Sequence, residues 1–284
     1  MKKISSEENT LKNEKHYDRL YSSINVAGII NKVRNLEKFM KEVTTTDTSW
    51  VGLYYNNFQE DLKGKKVLEL GCGDCTNAAI MSALGAEVYA NDISQKSGLI
   101  IDELNANYKF DAPIKFVNGD FLKSQLPDNY FDYVIGKAFV HHLTHEQEMQ
   151  FAEKIIKILK PGGKVRFFEP AVNNKILDAL RWIVPVTGRP SILQKDKFRK
   201  WKENDPYPIR DNSDKHYRDI GMDYYNDINI IPIGCIERFH RLLPRGKFNR
   251  RFRRFAFKAE KFLPLFIRLS FARSQLIIYS NPKK

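Results

Sequence analysis

Between Lys65 and Pro170 short apolar runs alternate with amphipathic stretches, and this alternation restricts the fold more than any other feature of the chain. "KVLEL" (66–70), "EVYAND" (87–92), "IKFVNGD" (114–120), "FDYVIGKA" (131–138) and "KVRFFEP" (164–170) have the length and apolar content of strands. Between them lie helical stretches: "TNAAIMSALG" (76–85), "KSGLIIDELNANY" (96–108) and residues 144–160, where Thr144 and Gln147 fit a capping box. Strands separated by helices cannot pair as hairpins. They lie parallel with helices on both faces, which is an α/β doubly wound sheet. Ligands of such sheets bind at the carboxyl ends of the strands, where strand order reverses.

On either side the rhythm changes. Residues 1 to about 15 are polar without periodicity and predict a mobile tail. Leu20, Ile24, Ala27, Ile30, Val33, Leu36 and Met40 then recur at helical spacing, predicting one or two amphipathic helices ahead of the core. Residues 172–226, rich in Pro, Lys, Asp and aromatics, interrupt the alternation, which resumes with "INIIPIG" (228–234) and ends in "SQLIIYSN" (274–281). The expected division is therefore 1–60 as tail and helices, 61–171 plus 227–284 as core, and 172–226 as an insertion. Trp182, Trp201, Tyr207, Tyr217, Tyr224 and Tyr225 either line a ligand pocket or form that insertion's own core.

Three cysteines, Cys72, Cys75 and Cys235, are too few for a disulfide framework, and the N-terminus lacks a secretory apolar run, so a cytoplasmic setting is expected. No stretch reaches the roughly 18 apolar residues of a membrane span. The net charge of +13 is concentrated: residues 238–273 carry twelve Lys and Arg against the single acid Glu260. In that segment Phe252, Phe255, Ala259, Phe262, Phe266 and Leu269 recur at helical spacing. Three readings fit: a surface helix packed on the core beneath a solvated basic face, a helix lying on a membrane surface, or a nucleic-acid contact.

"LELGCGDCTN" (68–77) holds two competing signals, a C-x-x-C pair and a glycine turn. Gly71 and Gly73 fall where the first strand hands over to the first helix, and only glycine lets a ligand approach the backbone and the helix N-terminus closely there. Glu69 lies inside the strand. Asp92 ends the second strand about twenty residues on, where an acid can hydrogen-bond both hydroxyls of a ribose. Zinc would need two ligands beyond the pair, with only Cys235 left, and a redox dithiol has no use for Glu69 and Asp92. A nicotinamide fingerprint would want a third glycine at Thr76. His141 and His145 are four residues apart, but Thr144 starts the next helix between them, so no metal is expected.

In this order "VLELGCGDCTN", "YANDIS", "VNGDF", "FDYVIGKAFVHHL" and "LKPGGKVRFFEP" resemble the class I S-adenosylmethionine-dependent methyltransferases over roughly residues 60–171. The resemblance implies a Rossmann-like, seven-stranded, mostly parallel sheet closed by "SQLIIYS" as an antiparallel strand, with an N-terminal helical lid and an insertion after strand 5. It implies S-adenosyl-L-methionine as cofactor: Gly71, Cys72 and Gly73 against its methionine part, Glu69 at the amino group and Asp92 on the ribose. Ile93 would pack on the adenine, Asp120 and Phe121 would meet its amine and face, and Lys137 would contribute backbone contacts. His16, Tyr17 and Tyr21 are lid candidates. Cys75 stands where the family usually has its third glycine.

Positioning supplies about 7–11 kcal/mol of such a barrier and a general base only some 10²–10⁴ in rate, so a base helps without being essential. For a hydroxyl acceptor, His142, then His141 or Glu169, could take the proton. The expected activity is O-methylation of a small-molecule or lipid- or glycan-linked acceptor, with the basic helix 247–273 as a membrane-peripheral contact. Alternatives are N- or C-methylation, a nucleic-acid or protein acceptor, for which no recognition module is apparent, and a non-catalytic cofactor-binding protein.

Overall fold

The computed structural model describes residues 5–21, 23–186, 189–203, 208 and 210–283. Four helices precede the sheet: α1 (Ser6–Tyr21), α2 (Val26–Arg34), α3 (Leu36–Thr46) and α4 (Thr48–Leu53). The alternating part follows as β1 (Lys66–Leu70), α5 (Thr76–Ala83), β2 (Glu87–Asp92), α6 (Gln95–Asn107), β3 (Lys115–Asn118), β4 (Phe131–Lys137), α7 (His145–Ile158) and β5 (Leu159–Pro170). Then come α8 (Lys175–Ile183), α9 (Lys195–Glu203), α10 (Asp214–Tyr224), β6 (Tyr225–Ile233), α11 (Lys247–Ala259), α12 (Leu265–Phe271) and β7 (Ser274–Pro282).

The seven strands form one sheet in the order β3-β2-β1-β4-β5-β7-β6, with β7 antiparallel to both neighbours. Alternating side chains divide between two cores, as a pleated strand requires. Val67, Ile135, Phe168 and Leu276 face the layer of α2, α4, α5 and α6. Leu68, Val134, Phe167 and Ile277 face α7 and α10. Strand order reverses between β1 and β4, which pair Leu70 with Gly136, so a crevice opens beyond their carboxyl ends.

Three sequence expectations need correcting. Residues 6–15, expected within the tail, are helical and belong to α1, which is polar because it covers polar groups, with its own Asn9 and Asn13 buried on the inner face. α10, grouped with the insertion by composition, packs on β6, β7 and α7 as part of the sheet's helical layer. Finally, α11 buries Ala256 and Phe257 and leaves Phe255 exposed, so the apolar stripe of the basic segment is not the face turned to the core. Periodicity finds a helix but does not say which of two mixed faces is inward.

Candidate active site

A cavity of about 560 Å³ lies at the strand-order reversal, within the size range of small-molecule sites. Its floor is the loop after β1. Gly71 and Gly73 adopt φ of +64° and +57°, and a Cβ at Gly71 would come within 2.4 Å of the Phe139 ring, so alanine fits neither the backbone nor the space. Cys75 also takes a left-handed φ, +58°, which costs a non-glycine residue roughly 1–2 kcal/mol. Its thiol is fully buried and turned to the Gly73 and Ser97 carbonyls, away from the cavity. Burial pushes the Cys72 thiol well above its ordinary value, the opposite of what a reactive dithiol needs.

Asp92 ends β2 and ties the loop down: Gly73 N–H donates to Oδ2 at 2.8 Å and Ser94 N–H to Oδ1 at 2.9 Å. Burial raises its pKa, against the pull of these backbone donors. Two bonds occupy about half of the roughly four lone-pair sites of a carboxylate, which leaves acceptor capacity on the cavity wall. Ile93, Asp120, Phe121 and Lys137 also line the cavity. Glu69 does not. It is buried behind the loop, where Asn77 donates to one oxygen at 2.7 Å, the other oxygen has no hydrogen-bond partner, and burial lifts its pKa to about 8.

The roof is α1 and the segment after β4. Asn9, Asn13, Tyr17 and Tyr21, four residues apart, put one helical face over the cavity. Asn9 donates to the His142 carbonyl at 2.8 Å and to Gln147, while Ser94 donates to Asp18 at 2.6 Å, so both ends of the helix are fastened. The Tyr21 hydroxyl sits over Gly73. His16 stacks edge-on against Tyr17 but does not reach the cavity wall. Asn9 and Asn13 were missed because isolated asparagines in a polar stretch look like solvated tail; their spacing with Tyr17 and Tyr21 is the signal that could have found them.

His142 Nδ1–H donates to Asn13 Oδ1 at 3.0 Å, and the Tyr17 hydroxyl donates to Nε2 at 3.1 Å. Asn13 is oriented by its own amide, which donates to the Asn9 carbonyl, so the ring is read as neutral with the proton on Nδ1. Desolvation, then the charges of His141, His16 and Arg210, push its pKa well below the ordinary value. The sign follows from linkage. Below about pH 6.5 the unfolded chain's imidazole gains a proton that the folded one refuses, so this stability is present above 6.5 and lost as pH falls, at up to about 1.4 kcal/mol per pH unit. The urea midpoint should therefore drop less between pH 7 and pH 5 in His142→Asn than in the wild type, and equal drops would refute the assignment.

Glu169, offered above as a base, is not on the cavity wall. Fully buried, it accepts from the backbone N–H groups of Phe139, Val140 and His141 at 2.9, 2.7 and 3.3 Å and from His141 Nδ1 at 2.6 Å. Its oxygens are spent on shaping the segment that carries His141 and His142. Of the insertion aromatics, Trp182 and Trp201 cluster with Phe198, while Tyr217 and Tyr225 are core; none of these lines the cavity, and Tyr207 lies outside the described residues. Among the described residues one cluster could hold a metal, His145, Glu148 and His216, but Arg210 already donates to Glu148 at 2.6 Å and supplies the positive charge there.

Residues 68–167, from the glycine loop through β5, match the family described as a methyltransferase domain. Over these residues the chain carries a methyltransferase domain of the class I S-adenosylmethionine-dependent kind. This methyltransferase is 28% identical over 218 residues to a demethylmenaquinone methyltransferase of Geobacillus, covering 73% of this chain and 84% of that protein. It is 36% identical over 104 residues to a cypemycin N-terminal methyltransferase of Streptomyces, covering 36% of this chain and 40% of that one. The chain spans about half the length, 50% to 58%, of several other curated relatives. An Archaeoglobus fulgidus SAM-dependent methyltransferase of known structure shares the fold, with a TM-score of 0.52 at 19% identity, over 86% of this chain and 99% of that one. S-adenosylmethionine is the family's cofactor, and the cavity fits it: glycines where a Cβ would not, a carboxylate with spare acceptors, and apolar walls.

Proposed function

We propose that the methyltransferase methylates an oxygen of a small acceptor, free or carried on a lipid or glycan, with His142 as the proton acceptor. One observation carries this reading: on the cavity wall the His142 imidazole is held at Nδ1 by Asn13 and joined at Nε2 to the Tyr17 hydroxyl, a path for a proton, and an oxygen that has taken up a methyl group is acidic enough to give its proton even to an imidazole of lowered pKa. S-adenosylmethionine, when bound, supplies a methyl group made electrophilic by the sulfonium charge. The chain's own groups do the rest. Asp92 offers its spare lone pairs to the ribose, Ile93 and Phe121 flank the base, Asp120 meets its amine, and the Gly71–Gly73 backbone holds the methionine part. Glu69 braces the loop from behind through Asn77, Lys137 places a positive charge beside it, and α1 excludes water with Tyr17 and Tyr21.

As the acceptor's oxygen takes up the methyl group, its proton passes to Nε2, reached through the Tyr17 hydroxyl. His141 keeps the neighbouring backbone in place through Glu169. The walls around this point, Tyr17, Phe139 and Phe151, favour an apolar ring as acceptor body, and the Geobacillus relative is named for demethylmenaquinone. The test is a screen of hydroxyl-bearing aromatic and lipid acceptors for products heavier by one methyl group. His142→Ala should lower kcat about 10²–10⁴-fold while cofactor affinity stays within about twofold. An unchanged kcat would remove His142 from the chemistry, and a product methylated only on nitrogen or carbon would overturn the oxygen assignment.

A further inference from the structure

The exposed surface around α8, α11 and α12 combines two features that usually exclude each other. Phe262, Phe266 and Phe255 are 89%, 70% and 65% exposed, Leu265 stands beside them, and α8 presents Ile176 and Leu180 with no buried residue of its own. Phe262, Leu265 and Phe266 fall within five residues of one another, and large apolar side chains left so exposed mark a binding surface. Next to them a groove of about 1430 Å³ between α3 and α11 is walled by nine Lys and Arg residues, among them Lys41, Arg251, Lys258 and Lys261. Its two acids are engaged: Glu42 pairs with Arg254, and Glu260 accepts from the backbone of Gly234 and Ile236.

We propose that this face docks on an anionic membrane. The charge argues against a second copy, since like surfaces carrying this excess of cations repel. Aliphatic side chains such as Leu265, Ile176 and Leu180 argue against nucleic acid, because they offer no stacking plane to a base. A bilayer interface takes both features at once, apolar side chains into the acyl boundary and cations to the headgroups. Among the described residues no helix is long and apolar enough to cross a membrane, so the contact is with the surface.

The topology gives the contact a use. α8 starts just after the carboxyl end of β5, and Ser274 at the start of β7 pairs with Pro170 of β5 and Ile233 of β6. α8 and α12 therefore lie at the same end of the sheet as the cavity, and a bilayer docked on them would hold the cavity's end of the molecule towards it. This inference does not depend on which acceptor atom is methylated.

The full chain should pellet with vesicles of phosphatidylglycerol and phosphatidylcholine and not with phosphatidylcholine alone, and salt should release it. Replacing Phe262→Ser with Phe266→Ser should weaken the partition by about tenfold or more, and Arg251→Gln, Lys258→Gln and Lys261→Gln together by roughly a hundredfold. Arg253 is left alone because it is 2.7 Å from buried Glu237. None of the replaced residues lines the cofactor cavity, so S-adenosylmethionine affinity should stay unchanged in every variant. Failure to pellet with either vesicle would overturn the proposal. So would a salt-sensitive complex with an oligonucleotide that does not need the phenylalanines, which would assign the face to nucleic acid, or a dimer that the Phe→Ser pair dissociates.

Discussion

Asp92→Ala is expected to weaken S-adenosylmethionine binding by about a hundredfold or more while leaving a folded protein. Two losses combine. The hydrogen bonds offered to a ribose are charge-assisted, at about 1.5–3 kcal/mol each, and two of them together exceed the 2.7 kcal/mol or so of a hundredfold change. The alanine also leaves the N–H groups of Gly73 and Ser94 without their acceptors, so the floor of the cavity loosens. Asp92→Asn separates the two effects. Its one remaining oxygen can keep one of the backbone donors, and its amide opposes the other, so affinity should fall to an intermediate value. Calorimetry on the wild type and both variants decides the matter, with thermal unfolding as the control. Undiminished binding by Asp92→Ala would mean that the cofactor sits elsewhere.

The strands around Asp92 were readable because a sheet covered on both faces demands apolar runs of strand length, and helices between them dictate parallel pairing. The glycine loop and the acid at the end of β2 were readable for a related reason: backbone conformation and ligand approach leave few residue choices there. α1 was not. Its buried residues are asparagines, whose inward face is paid for by hydrogen bonds to His142 and Gln147 rather than by apolar area, and a hydropathy pattern carries no trace of such partners. The basic C-terminal segment failed differently. Both the buried Phe257 and the exposed Phe255 fit a helical stripe, and only tertiary contacts choose between them.

Glu169 shows the same limit inside the site, and it supports the sharpest stability prediction. From sequence, a carboxylate at the end of a strand facing a ligand cavity is a fair candidate base. In the fold it is fully buried and collects four donors from Phe139, Val140 and His141. A carboxylate so engaged has no lone pair directed at an acceptor. What it does is hold the turn that brings Ala138, Phe139, His141 and His142 to the cavity, including the left-handed Ala138 at φ +58°. Glu169→Ala removes the shared acceptor and strands these donors in the interior, which should cost about 3–5 kcal/mol of unfolding free energy and most of the cofactor affinity. Glu169→Gln keeps the volume but turns an amide towards backbone N–H groups, so it should still cost about 1–3 kcal/mol. Urea unfolding distinguishes the two roles. A general base would show a fall in kcat with stability intact in Glu169→Gln, whereas a group that holds the turn must lose stability and cofactor binding together.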